Sequence, residues 1–308
     1  MSMQLRDIDY FAVVARHGHL GRAAEALGLS QPALSMSLRR LERSAQAKLV
    51  KRTPKGVELT PVGAALVSHV NRLQLAREDL AREVADLAQG RSGHLRIGAS
   101  PSNADAYLPE ACSALLMEAP KVGLNVAVLD NDALLPALRK GELDIALTHE
   151  PQLSQPGLVL EPIRHDEFVV FCSAEHRLAR RKSVTLEDLA QERWSAAASA
   201  VGASGPLRLL QRSFEERGLP APRIALVSDL VMFRRRVVSA SDLVGVAARA
   251  NVAAAASRLG LKVLSVKGLQ WVRLAVAAYR HDAYLPPAGR RFIAILKATS
   301  RNNRPAPD

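Results

Sequence analysis

The stretch "RAAEALGLSQPALSMSLRRLE" (residues 22–42) places a helix stop and a helix start within five residues, Gly28 to Pro32. Before the stop, Ala23, Ala24 and Leu27 fall on one face, and the small alanines let another helix cross closely. Gly28 ends that helix because glycine enters a left-handed cap without steric cost. Ser30 can cap the next helix by accepting an orphan amide hydrogen bond, and Pro32 is tolerated in a first turn that needs no N–H there. The new helix buries Leu34, Leu38 and Leu41, spaced four and three, so Gln31, Ser35, Met36, Arg39 and Arg40 turn towards solvent or a ligand. Two helices around a tight glycine turn form a helix-turn-helix, whose second helix fits the DNA major groove. From this pattern alone, a solvated pair in an ordinary helical bundle is an equal alternative.

The flanks extend the pattern. Upstream, Leu5, Ile8, Phe11 and Val14 recur every third residue, as on the buried stripe of a short helix that Gly18 stops. Downstream, "KRTPKGVELT" (51–60) reads as a basic turn and a short strand, the shape of a β-wing on which Lys51, Arg52 and Lys55 would meet phosphates. Between residues 39 and 55, seven basic side chains face a single acid, Glu42.

The chain has 308 residues, enough for two or more domains, a formal charge of +12 and a pI near 10.3. That balance favours a polyanionic partner such as nucleic acid or an acidic membrane surface. Cys112 and Cys172 lie sixty residues apart without CxxC spacing, so neither a disulfide framework nor a zinc site is expected, and both thiols read as inert core. With no charged-then-apolar leader and no run of about eighteen apolar residues, the expectation is a soluble cytoplasmic protein without a membrane span.

Thr60 and Pro61 repeat the cap-then-proline start. From there Leu66, Val70, Leu73, Leu80, Val84 and Leu87 alternate in steps of four and three, interrupted by Arg77. This seam predicts a two-stranded coiled coil, the alternative being a helix packed on its own domain. Gly90, Ser92 and Gly93 mark the boundary that follows. Beyond it, strands at 94–99, 124–129, 143–148, 167–172 and 224–229 alternate with helices at 104–117, 133–139, 206–217 and 230–239, the signature of an α/β domain with mainly parallel sheets.

The segment "RAAEALGLSQPALSMSLRRLE…KRTPKGVELTPVG" resembles the winged helix-turn-helix of the LysR-type transcriptional regulators. "GHLRIGAS", "LPE" (108–110), "LRKGELDIALT" (138–148) and "EHRLARRKSVTLEDLA" (175–190) resemble that family's effector domain. The family usually has polar or basic residues where this chain has Met36 and Ser37, and a Leu-Gly pair where it has Ala45 and Gln46. The resemblance implies a winged helix-turn-helix over 1–60, a linker and dimerisation helix over 61–90, and an α/β effector domain over 91–308 with two lobes, similar to periplasmic solute-binding proteins. One lobe would comprise about 94–163 and 268–300, the other 166–264, with crossings near 162–165 and 265–268.

By the same resemblance the protein is expected to be a sequence-specific regulator of double-stranded DNA. It would be a homodimer through the linker helix and a homotetramer as a dimer of dimers, modulated by a small anionic effector, such as a carboxylate, between the lobes. The DNA-facing set would be Ser30, Gln31, Pro32, Ser35, Met36, Arg39, Arg40, Lys51, Arg52 and Lys55. Residues directly after strands are the cleft candidates: Ser100, Ser102, Asn103, Asp130, Thr148 and His149 from one lobe, Ser228 and Asp229 from the other. Hydroxyls and free amides at a helix start suit a carboxylate. Arg234, Arg235 and Arg236 read as a solvated helix face in preference to an anion site.

An enzyme is not expected, and neither is a cofactor or a metal. The chain lacks GxSxG, GxGxxG, Walker and HExxH motifs, and its eight histidines are scattered. Two alternatives stand beside the regulator: a solute-binding protein with a helical assembly module, and a hydrolase-like α/β domain.

Overall fold

The computed structural model describes residues 3–54, 56–89, 93–150, 154–197, 206–253, 255–269 and 271–302. Two compact units divide the chain, Met1–Ala85 and Asp86–Asp308. The linker helix up to Ala85 therefore belongs with the N-terminal unit.

In that unit α1 (Leu5–His17), α2 (Leu20–Ala26) and α3 (Gln31–Ala45) are followed by β1 (Val50–Thr53), β2 (Gly56–Leu59) and α4 (Pro61–Gln89). Phe11, Val14, Leu20, Ala23, Leu34, Leu38, Leu41 and Leu49 form its core. Leu5, expected on the buried stripe, is exposed: it opens the helix, one turn before the core begins. Gly18 and Gly28 hold φ of +62° and +64°, the left-handed caps required to end α1 and α2 so abruptly. The Ser30 hydroxyl accepts from the Ala33 amide at 3.3 Å and starts α3.

A buried polar link sets the angle between α1 and α3. Asp7 accepts from the Ser37 hydroxyl at 2.6 Å and from Arg40 Nε at 2.6 Å, with a further contact from the other Arg40 nitrogen. These donors hold the Asp7 carboxyl below its usual range, the Arg40 hydrogen bond foremost and against the opposing effect of burial. The wing is tied down through backbone: Val57 N–H donates to Gly18 O at 2.7 Å, and a Cβ on Gly56 would stand 2.3 Å from that same oxygen. Thr60 Oγ1 donates to Lys48 O and accepts from Gly63 N–H, launching α4.

The second unit runs β3 (His94–Ala99), α5 (Pro101–Glu118), β4 (Gly123–Val128), α6 (Asn131–Arg139), β5 (Ile145–His149) and the long β6 (Leu158–Ser173). It continues with α7 (Leu186–Ala190), β7 (Arg193–Ala196), α8 (Pro206–Glu215), β8 (Arg223–Val227), α9 (Val231–Ser239), β9 (Val244–Ala248), α10 (Arg249–Ala253), α11 (Ala256–Leu259), β10 (Leu261–Val263), β11 (Trp271–Arg280) and α12 (Pro287–Asn302). The described strands form one path, β4-β3-β5-β11-β6-β9-β7-β8, with β10 beside β6. β3 pairs parallel with β4 and β5, and β7 parallel with β8 and β9. The antiparallel pair β6 and β11 joins these two halves.

Each half has its own core. Leu95, Ile97, Leu115, Ile145, Ala277 and Phe292 pack in the first, and Phe168, Trp194, Leu210, Phe214, Val244 and Trp271 in the second. Ile163 packs in the first and Phe168 in the second, so β6 crosses between them. The return crossing differs from the expectation at 265–268. Leu264, Val266, Leu269 and Trp271 still pack in the second lobe, and β11 meets β5 of the first from Ala275 onward. Both lobes are thus connected by paired strands, in contrast to loops, and this shifts the boundary towards the C-terminus.

Candidate functional site

Two surfaces gather the chemistry. On the first unit, α3 buries Leu34, Ser37, Leu38, Leu41 and Glu42 and leaves Gln31, Met36 and Arg39 exposed, Met36 at 62%. Ser30 and Pro32 are exposed at its start, and Ser35 is half-buried. Arg52 on β1 donates to Ser35 Oγ at 3.2 Å, linking the wing to this helix, while Lys51 stands exposed beside it. Lys55 lies outside the described residues.

Arg40 corrects the sequence reading. Its guanidinium turns back onto Asp7 and holds α1 against α3, whereas it was expected to face a ligand. Lys48, counted in the basic cluster, pairs with the buried Glu42 at 2.8 Å, and Glu42 also accepts from Leu49 N–H. What remains is a surface of amide, hydroxyl, thioether and guanidinium groups, with cations on the adjacent wing. Such a surface can hydrogen-bond flat polar edges and neutralise phosphates.

The α4 seam divides. Leu66, Val67 and Val70 pack on the domain core, and Gln74 and Arg77 anchor the helix to Asp9 of α1. Beyond them Leu73, Leu80, Val84 and Leu87 are exposed, an apolar stripe on an otherwise charged helix.

The second surface is a cavity between the lobes of the second unit. Ser100, Ser102 and His149 line it from one lobe and Asp229 from the other, four of the eight sequence candidates. The long helix α5 begins at this wall. Ser100 is its N-cap residue, yet the hydroxyl makes no capping bond; it is 2% exposed and has no partner among the described residues, as is true of the amide of the buried Asn103. Asp130 and Ser228 do not line the wall: Asp130 stands exposed at the start of α6 and makes no side-chain capping bond, and Ser228 Oγ accepts from Leu230 N–H. Thr148 is buried and donates to Asn131 Oδ1 at 3.1 Å, and it is Asn131, one residue beyond Asp130, that faces the cavity.

The sequence reading missed Phe168, Arg234, Asn251 and Arg273, all of which line the cavity. Arg234 and Arg235 contradict the solvated-face expectation, at 6% and 3% exposure; Arg236 alone is exposed. Arg235 pairs with Asp105 of α5 at 2.9 Å and donates to Asn251 O, while Asn251 Nδ2 donates to Ser102 at 3.1 and 3.2 Å. These contacts tie the two lobes together across the cleft. Burial lowers the pKa of Arg234 and of Arg273, against the opposing pull of Asp229 and Asp166 respectively. The helix spacing of Val231, Arg234, Arg235 and Val238 was the available signal, since it puts two arginines on the apolar face. Asn251 follows β9, and Arg273 lies in β11, strands that the sequence pattern did not reveal.

Behind the wall, Asp166 accepts from His149 Nε2 at 3.1 Å and from the Tyr107 hydroxyl, and Arg164 approaches it at 3.4 Å while lying over the Tyr107 ring. Burial and the Asp166 charge push the Tyr107 hydroxyl well above its usual range, so it stays a donor. Cys172 is fully buried, its thiol pushed up to about 11, mainly by burial, and Cys112 is half-buried and raised for the same reason; neither is activated.

Residues 5–64 match the model of the bacterial regulatory helix-turn-helix protein, lysR family, and residues 88–301 match that of the LysR substrate binding domain. The chain is 33% identical over 192 residues to the HTH-type transcriptional regulator YtlI of Bacillus subtilis (strain 168). That match covers 62% of each chain, just under two thirds of the relative's length. It is 32% identical over 248 residues to the SDS degradation transcriptional activation protein of a Pseudomonas sp. (strain ATCC 19151), covering 79% of this chain and 78% of that one. In fold it is similar to full-length CbnR complexed with its target DNA, with a TM-score of 0.62 at 20% identity over 96% of this chain and all of that one.

Proposed function

This chain belongs to the LysR family of DNA-binding transcriptional regulators, a family of regulators and not of enzymes, and from that premise we propose how its surfaces carry the task. Helix α3 enters the major groove of double-stranded DNA. Gln31, Ser35 and Arg39 read base edges, and Met36 makes apolar contact, for instance with a thymine methyl. The N-terminal turn at Ser30 and Pro32, together with Lys51, Arg52 and Lys55, meets phosphates and fixes register. Arg40 acts one step back, by setting the tilt of α3 through Asp7.

The exposed stripe of Leu73, Leu80, Val84 and Leu87 forms the homodimer as a coiled coil, so the operator is dyad-symmetric with half-sites on one face of the duplex. Two dimers assemble into a homotetramer. A small anion, such as a carboxylate, binds in the cleft at the start of α5 beside Ser100 and Ser102, with Arg234 and Arg273 facing it. Its binding shifts the balance of quaternary arrangements and so the DNA bend. The protein works in the cytoplasm, where the DNA is. Among the described residues, no helix is long and apolar enough to cross a membrane.

The observation that carries the DNA reading is the exposed polar face of α3, whose other face is anchored in the core and whose neighbour is a basic wing. CbnR, of like fold, is known in complex with its target DNA. A gel shift with DNA from upstream of the protein's own gene tests it. Specific binding at moderate salt that weakens steeply as salt rises is expected, and absence of any bound promoter-proximal DNA refutes it.

A further inference from the structure

The cleft wall carries a hydrogen-bonding pattern more particular than a site for any anion. His149 is 5% exposed and stands on the wall with its ring 5.5 Å from that of Phe168. Its Nε2 faces Asp166 at 3.1 Å, and its Nδ1 is buried without a partner among the described residues. A neutral imidazole has one N–H, and a carboxylate can only accept. In the neutral ring, a proton on Nε2 serves Asp166 and leaves Nδ1 as a bare acceptor. A buried acceptor without a donor is costly, so a ligand that brings an O–H gains more there than one that brings a methyl group.

Charge and size narrow the ligand further. Among the described residues, Arg234 and Arg273 line the wall against one acid, Asp229; behind it Asp166 is matched by Arg164, and Arg235 by Asp105. The balance is one positive charge, which suits one carboxylate. The enclosed space of about 50 Å³ has room for about four to six non-hydrogen atoms.

We propose that the cleft selects a small hydroxy-monocarboxylate of two or three carbons, its carboxylate near Ser100 and the arginines and its hydroxyl donating to His149 Nδ1. This rests on the reading of the cleft as a carboxylate site. His149 is then the specificity-determining residue, and Asp166 and Tyr107 are positioning residues that hold its ring in that tautomer.

Calorimetric titration of the full-length protein with the matched pairs glycolate and acetate, and lactate and propionate, tests this, with succinate as the dicarboxylate control. In at least one pair the hydroxy acid should bind ten times tighter or more. His149→Phe should bring that ratio close to one, and His149→Gln, whose amide oxygen can accept, should restore part of it. Ser100→Ala should weaken both members of a pair alike. Equal binding within every pair, or tightest binding of succinate, overturns the role of His149 and leaves the carboxylate site standing. No binding of any acid by a protein that still binds its operator overturns the carboxylate site as well.

Discussion

Met36 and Asp7 show how much one side chain can decide in this protein. Met36 stands exposed on α3, on the face proposed to read DNA, where an unbranched thioether offers contact without a bidentate hydrogen bond. Met36→Arg is expected to change the sequence enriched in an operator selection and to steepen the salt dependence of binding by about one unit of slope. An unchanged selected sequence would show that Met36 does not face the bases. Asp7 is paired with Ser37 and Arg40, and its carboxyl titrates below the ordinary 3.8. A lowered folded-state value means that the link contributes fully above that ordinary value and is lost as pH falls through the lower one. Asp7→Asn should therefore cost about 1.5–3 kcal/mol at neutral pH. The gap between variant and parent in denaturant melts should persist down to the ordinary 3.8 and close only as pH falls below it. Operator affinity should fall with the tilt of α3. The pairing itself was not legible in the sequence: Asp7 and Arg40 are thirty-three residues apart, and helix periodicity sees only the outward angle of Arg40, not the acid waiting on α1.

At the scale of elements, the caps were readable because they are local. Ser30, Pro32 and Gly28 act through backbone groups within three or four residues, as does the bond that Thr60 Oγ1 accepts from Gly63 N–H, so residue order alone specifies α2, α3 and the start of α4. The strands after residue 240 were not readable, since β9, buried along its whole length, shows no alternation, and β11 changes lobes along its course. The α4 seam lies between these cases: its periodicity was plain, but the division at Leu73 between residues packed at home and residues left exposed depends on where the N-terminal core ends. Replacing Leu80 and Val84 by aspartate should dissociate the proposed dimer. Each loses burial worth about 1.5–3 kcal/mol per chain. Sedimentation velocity at micromolar concentration should then report monomers, and binding to a dyad operator should drop more than binding to a half-site. A dimer that survives both changes would place the interface elsewhere.

For the effector domain as a whole, the question is what holds its two lobes at their present separation. Arg235 with Asp105 and Asn251 with Ser102 span the cleft from α9 and α10 to α5. Asp105→Asn leaves a guanidinium buried to 3% without its countercharge. The expected cost is about 1–3 kcal/mol, below that of a fully buried pair because Asp105 reaches solvent. Hydrogen exchange in the full-length protein should speed up at the first turns of α5 and at α10 and stay unchanged in α3. Equal rates would mean that the strands β6 and β11, not these contacts, set the separation.

Residue order was enough for the winged helix-turn-helix, the exposed face of α3, the α/β character of the remainder and the hydroxyls at the start of α5. All of these rest on spacings of a few residues: caps, helix turns and the step from a strand into the next helix. The character of the cleft came from folding. Two arginines buried on an apolar helix face, a histidine held by an aspartate from the crossing strand, and an asparagine from the other lobe converge from positions up to about 150 residues apart. Their roles depend on partners that only the long crossing strands bring into contact, and a periodicity measured along the chain carries no information about such partners.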